Sequence, residues 1–244
     1  MRKLLSNPIL ICWLVAFGGM AGAVEQKCIL FEDSYGERLG SPDPNVAIWW
    51  ASSGWKISQT RPVPSKKGQA LEIRAARNEA EAAQLVVRPA QALEGFTAKA
   101  SSLTGQNGAV IPAEAIEVLR VRYVNVEFPS DAWGTKGMWP DPLPPFTGPI
   151  RLAPGKNQPL WVRVDVPRDA VPGDYQGTIV LEATGFSAQV PFRVHVYAFD
   201  FPDRMTCTTA FGFDAGAVFH YQALKEPQDR ETVLQKYLDY FARN

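Results

Sequence analysis

Val190 to Phe199 reads VPFRVHVYAF. Phe192, Val194 and Val196 fall on one side of an extended chain, and Arg193, His195 and Tyr197 fall on the other. That period of two marks a strand with one face in a core and one in water. Working outward, YQGTIVLEA from Tyr175 and PLWVRVDVP from Pro159 are rich in β-branched and aromatic residues and bounded by Pro or Gly. ALEIRAA from Ala70 sets Leu71, Ile73 and Ala75 against Glu72 and Arg74, and AQLVVRP from Ala83 follows the polar stretch RNEAEA. AIEVLRVRYVNVEF, Ala115 to Phe128, alternates Ile116, Val118, Val121 and Tyr123 with Glu117, Arg120 and Arg122. Its phase breaks near Leu119, as one residue inserted in a β-bulge would cause. At least six strands with no helix between them argue against a parallel sheet, which needs crossover helices. The expected fold is mainly β, an antiparallel β-sandwich of the immunoglobulin-like or jelly-roll-like kind.

The 244 residues are 46% apolar and 20% charged, which excludes a disordered, collagenous or multi-span membrane chain. Lys and Arg total 25 against 25 Asp and Glu, so no basic excess exists to neutralise phosphates, and a nucleic-acid partner is not expected. Twenty prolines and 19 glycines predict many short elements. In VPGDYQG, Val171 to Gly177, Pro172 and Gly173 suit the central positions of a type II turn between two strands.

Arg2 and Lys3 precede an apolar run from Ile9 to Phe17, and Ala21-Gly22-Ala23 follows, the pattern of a signal peptide cleaved after Ala23. The alternative, a retained anchor, is weakened by Gly18 and Gly19 and by a run shorter than the roughly 20 residues of a bilayer span. Residues 1–23 are therefore read as an export signal, with a periplasmic or extracellular destination and no membrane association after cleavage. Losing Arg2 and Lys3 leaves 23 basic against 25 acidic side chains, a net charge of −2. Cys12 leaves with the signal, while Cys28 and Cys207 remain where disulfides persist. A bridge between them would close a loop of about 180 residues, worth about 5 kcal/mol in the chain-entropy account. Two unpaired buried thiols are the other reading.

Past Pro202 the pattern changes. TCTTAFGFD, Thr206 to Asp214, reads as one buried strand, followed by a loop-like segment that holds His220. From Asp229, an available N-cap, to Phe241 the residues Val233, Leu234, Tyr237, Leu238 and Phe241 recur at helical spacing. One strand and one helix are the opening unit of an α/β domain. The expected domains are thus a sandwich over 24–203 and this unit over 204–244. Neither histidine has Cys, Asp or Glu at metal-ligand spacing, and no nucleophile elbow, Walker loop or dinucleotide fingerprint occurs. No metal, cofactor or catalytic residue is assigned.

The most unusual stretch is DAWGTKGMWPDPLPPFTGP, Asp131 to Pro149. Its prolines hold the backbone extended and remove amide donors, so it cannot join a central strand and should lie on a surface or in a crevice. Trp133 and Trp139 beside Asp131 and Asp141 could stack on a sugar ring while the acids accept its hydroxyls. The bland alternative is that these indoles pack the loop onto the sandwich. Trp49, Trp50 and Trp55 carry the same two readings, weighted further toward packing.

AIWW at Ala47, ARNEAEAAQLVVRP at Ala76, GMWPDPLPP at Gly137, NQPLWVRVDVP at Asn157, PGDYQGTI at Pro172 and TTAFGFD at Thr208 together resemble the N-terminal region of glycoside hydrolase family 123. Members with assigned activity are β-N-acetylgalactosaminidases. The resemblance implies a β-sandwich followed by a (β/α)8 barrel in which the sugar's 2-acetamido oxygen attacks the anomeric carbon, assisted by an adjacent Asp-Glu pair. It implies an N-acetylated hexosamine glycan as partner of the intact protein, and the missing barrel as an intramolecular one. No Asp-Glu dipeptide occurs here, and Glu32-Asp33 has the opposite order. The resemblance therefore implies a chain truncated just inside the barrel and catalytically inert. Asp214, at the end of the tail strand, is then a candidate sugar contact, with capping of the next loop as its alternative role. Two rival functions stay open: a free-standing carbohydrate-binding module using Trp133 and Trp139, and a structural domain whose apolar tail, 203–244, docks on a partner.

Overall fold

The computed structural model describes residues 28–130, 134–204, 208 and 212–243. The chain divides into two compact units, Met1–Phe201 and Pro202–Asn244. Among the described residues the first unit carries fourteen strands: β1 Glu37–Leu39, β2 Val46–Ser52, β3 Leu71–Arg77, β4 Ala80–Pro89, β5 Leu93–Ala100, β6 Leu103–Thr104, β7 Val110–Ile111, β8 Ile116–Arg120, β9 Tyr123–Val126, β10 Gly137–Pro140, β11 Ile150–Leu152, β12 Gln158–Asp165, β13 Gly173–Ala183 and β14 Phe186–Asp200. They form a five-stranded sheet in the order β1-β2-β4-β12-β8 and a seven-stranded one, β11-β5-β13-β14-β3 with β6 and β7 attached. A separate ribbon pairs β9 with β10. The sandwich is antiparallel except between β14 and β3, which run parallel.

One buried cluster draws on both sheets: Ile48, Leu85, Leu160 and Val162 from the first meet Leu71, Phe96, Ile179, Phe192 and Val194 from the second. β14 buries Val190, Phe192, Val194 and Val196 and turns Arg193 and Tyr197 outward, as its alternation requires. Pro191 is tolerated in this inner strand for a local reason. Its partner Thr178 spends its N–H and C=O on Ser101, so no ladder bond is asked of the proline, and pairing with β3 starts only at Phe192. Gly177, opposite Phe192, admits the close approach of β6: an added Cβ would lie 2.7 Å from Leu103 and 2.8 Å from the Ser102 carbonyl.

The run 115–128 is not one bulged strand. β8 ends at Arg120, the chain leaves the five-stranded sheet at Val121 and Arg122, and β9 starts the separate ribbon. The phase break near Leu119 marks this exit. β2 departs from alternation because it is covered on both faces: Ile48 joins the main core, whereas Trp49 and Ala51 pack with Tyr35, Ile57 and Val86 under the segment after Ser52.

In the second unit, α1 spans Ala215–Tyr221 and includes His220, so this segment is helical and not loop-like. α2 spans Pro227–Arg243, opening two residues before Asp229 with a proline at its first position, where the missing N–H has no helical partner to lose. Phe213 sits 5.5 Å from the Tyr237 ring and 5.3 Å from that of Phe241, covering the apolar stripe of α2. Of the strand expected over Thr206 to Asp214, residues 206–207 and 209–211 lie outside the described residues, and Thr208 and 212–214 are not in a strand. No helix among the described residues is long and apolar enough to cross a membrane.

Candidate functional site

The β9–β10 ribbon pairs Val124 with Trp139 and Val126 with Gly137, so the valines and the indole share one side. Together with Ile29, Pro129, Ser130 and Gly134 they line an open cavity of about 450 Å³, with Lys56 and Asp141 at its polar end. Trp139 Nε1 donates to the Thr135 carbonyl at 2.6 Å, which fixes the ring plane. Lys56 Nζ lies 3.6 Å from Asp141 Oδ1 and donates to the Pro140 carbonyl at 3.3 Å. Asp141, with a side chain 70% exposed, keeps acceptor capacity open to solvent.

Lys56 belongs to an irregular segment held on the outer face of the five-stranded sheet. Tyr35 donates its hydroxyl to the Lys56 carbonyl at 3.2 Å, and Tyr123 donates to the Ile57 carbonyl at 2.8 Å. Behind them stands a layered stack. Tyr35 and Trp55 lie parallel at 4.1 Å, and the Arg61 guanidinium lies 3.8 Å from the Tyr35 centroid and 4.5 Å from that of Trp49. Two groups so close to one ring cannot share a face, so Tyr35 lies between Trp55 and Arg61. Arg61 is 4% exposed and donates through Nη2 to the carbonyls of Asp33 and Tyr35. Asn157 Nδ2 closes the segment from below, donating to Ser58 and Arg61 carbonyls at 2.9 Å each.

Burial pushes the Tyr123 hydroxyl far above the ordinary tyrosine value, with Tyr35 adding to the shift. Burial also raises Tyr35, against an opposing pull from Arg61, and raises Tyr175, which donates to the Val171 carbonyl. The folded chain keeps these protons where the unfolded chain releases them. The stability these groups contribute is therefore full below about pH 10 and falls above it, by about 1 kcal/mol per pH unit for Tyr123, with Tyr35 and Tyr175 acting in the same direction. Urea unfolding at pH 8 and pH 11 should show this fall, and Tyr123→Phe should start lower but fall by about 1 kcal/mol less. Equal stability at the two pH values would contradict it.

Of the residues singled out in the sequence, Trp139 and Asp141 meet in this one cavity. Trp133 and its neighbour Asp131 lie outside the described residues. Asp214 belongs to the second unit, where its Oδ1 accepts the Gly216 N–H at 2.8 Å and caps α1. Cys28 is half-buried ahead of a short 3-10 turn, Ile29–Phe31, but Cys207 and residues 1–27 lie outside the described residues, and with them the disulfide and the export signal. His195 faces Asp174 at 2.6 Å on the outer face of the seven-stranded sheet. Among the described residues no three His, Cys, Asp or Glu side chains converge as a metal site would need. Lys56 was not foreseen; Trp49 and Trp55 pack, the reading favoured for them from the sequence, in the stack behind it.

A family model described as the glycoside hydrolase 123 N-terminal domain matches residues 50–183. Among solved structures, the chain is similar to a family 123 glycoside hydrolase from Clostridium perfringens described for glycolipid glycan hydrolysis. That likeness has a TM-score of 0.55 and 17% identity, over 64% of this chain and 28% of that one. A weaker likeness, TM-score 0.33 and 16% identity over 65% of this chain and 100% of the other, joins it to the CooA pilin subunit of enterotoxigenic Escherichia coli. Comparison with curated proteins finds no match.

Proposed function

The chain belongs to the glycoside hydrolase 123 N-terminal domain family, and from that membership we propose that it is the non-catalytic sandwich domain of an exported glycoside hydrolase acting on N-acetylhexosamine glycans. The observation that carries the reading is the family match over 50–183, in a chain that spans 28% of the length of the family 123 structure it resembles. Substrate-assisted hydrolysis in such an enzyme needs an Asp-Glu pair, and this sequence holds none. Export rests on Arg2, Lys3, the apolar run to Phe17 and Ala21-Gly22-Ala23. The full chain should release no aglycone from an aryl β-N-acetylgalactosaminide. Turnover abolished by Asp214→Asn would overturn the non-catalytic assignment, and a secreted product whose N-terminus is not Val24 would overturn the cleavage site.

A second reading, glycan binding by the sandwich itself, is favoured by one observation: Trp139, with its ring plane fixed, shares an open cavity with the exposed carboxylate of Asp141. An indole face covers the C–H face of a sugar while a carboxylate accepts its hydroxyls.

A further inference from the structure

Lys56 and Asp141 line two cavities, not one. On one side is the 450 Å³ space walled by Trp139, Val124, Val126 and Ile29. On the other is a smaller one of about 110 Å³, walled by Trp55, Trp161, Val121, Leu143 and Pro140, with Ser53 and Gln84 as its polar groups. The ion pair is therefore the divider shared by two aromatic-walled compartments. The alternation of β10 and its exit accounts for the arrangement: Trp139 lines the first space, the next residue, Pro140, is buried toward the second, and Asp141, just past the strand, borders both. Trp161 reaches the second compartment from β12, whose Leu160 and Val162 point into the core, so its indole must stand on the outer face.

Each compartment presents an indole wall to one pyranose, and the Lys–Asp pair between them offers a donor and an acceptor to the groups that flank a glycosidic bond, since Gln84 spends its amide N–H groups on the Ser52 and Trp55 carbonyls. A single sugar would use one wall and leave the other bare. We propose that this cleft binds two adjacent residues of a glycan chain, one against Trp139 and one against Trp55 and Trp161, with Lys56 and Asp141 bonding at their junction. The proposal rests on the glycan-binding reading above and adds to it the length of the ligand and the residues of its second subsite.

Calorimetric titration of the full chain with N-acetylgalactosamine and with its β1-4-linked galactose disaccharide, alongside N-acetylglucosamine and diacetylchitobiose, tests it without any variant. At least one disaccharide should bind about tenfold or more tightly than its own monosaccharide. Trp139→Ala should abolish binding of both, whereas Trp161→Phe and Lys56→Met should bring the disaccharide down to the affinity of the monosaccharide, with the fold checked by circular dichroism. Binding of a monosaccharide as tight as that of its disaccharide, or indifferent to Trp161 and Lys56, overturns the two-subsite cleft and leaves the glycan-binding reading standing. No binding by any of the four sugars to folded chain overturns both.

Discussion

Arg61→Ala is expected to cost about 3–5 kcal/mol of stability, more than any surface charge of this chain could. Three losses combine. The guanidinium at 3.8 Å from Tyr35 and 4.5 Å from Trp49 is removed, and desolvated cation–π contacts are worth about 2 kcal/mol or more. The Tyr35 carbonyl loses its donor inside the fold, at about 1–3 kcal/mol if it stays unpartnered, and the part-buried bond to the Asp33 carbonyl goes with it. The slot between two rings is left empty, because the surrounding backbone is held by Asn157 and cannot close over it. Arg61→Met separates these losses. Its side chain fills the slot and removes a charge whose Nε and Nη1 find no acceptor in the protein, so it should cost about half as much as alanine. No tryptophan occurs in the sequence after Trp161, so tryptophan fluorescence in urea does not report on the second unit. A cost of less than about 1 kcal/mol for Arg61→Ala would show that the stack is ornament and not a fastening for the Lys56 segment.

How far the fold was legible depends on how many faces of each strand are buried. Strands buried on one side, such as ALEIRAA and VPFRVHVYAF, announce themselves by alternation. VAIWWAS does not, because Trp49 packs under the outer segment while Ile48 faces the main core, and two covered faces erase the period. LEGFTAKA was hidden for the opposite reason: Phe96 and Ala98 are too few apolar residues to set a rhythm. At the site, Trp139 and Asp141 were legible since an indole among prolines has no place in a central strand, and β10 does join only the outlying ribbon with β9. Lys56 was not, because a lysine in a polar loop looks like any solvated cation, and only the fold brings it to Pro140, 84 residues away. Arg61 reads from sequence as a surface residue, and its burial against rings and carbonyls, without a carboxylate among its named partners, runs against the ordinary pairing of buried charge.

Phe192→Ala should cost about 3–5 kcal/mol, while Arg193→Ala, one residue along the same strand, should stay within about 1 kcal/mol. The contrast isolates the pleat. Phe192 is fully buried, flanked across the sheet by Gly177 and Leu71, and forms part of the cluster that joins both sheets. Gly177 offers no side chain to fill the void, and Leu103 is already in place against its Cα, so the site collapses poorly and the cavity penalty is retained. Arg193 stands on the outer face with its side chain 45% exposed, 3.7 Å from Glu72, a pair that water screens on all sides. For a unit of this size the first substitution should lower Tm by on the order of 10 °C and the second by no more than a few degrees. Calorimetry of the two variants measures this directly. Comparable losses at both positions would mean that the strand is covered on both faces, and its outer rungs, His195–Asp174 and Arg193–Glu72, would then have to be buried against another surface.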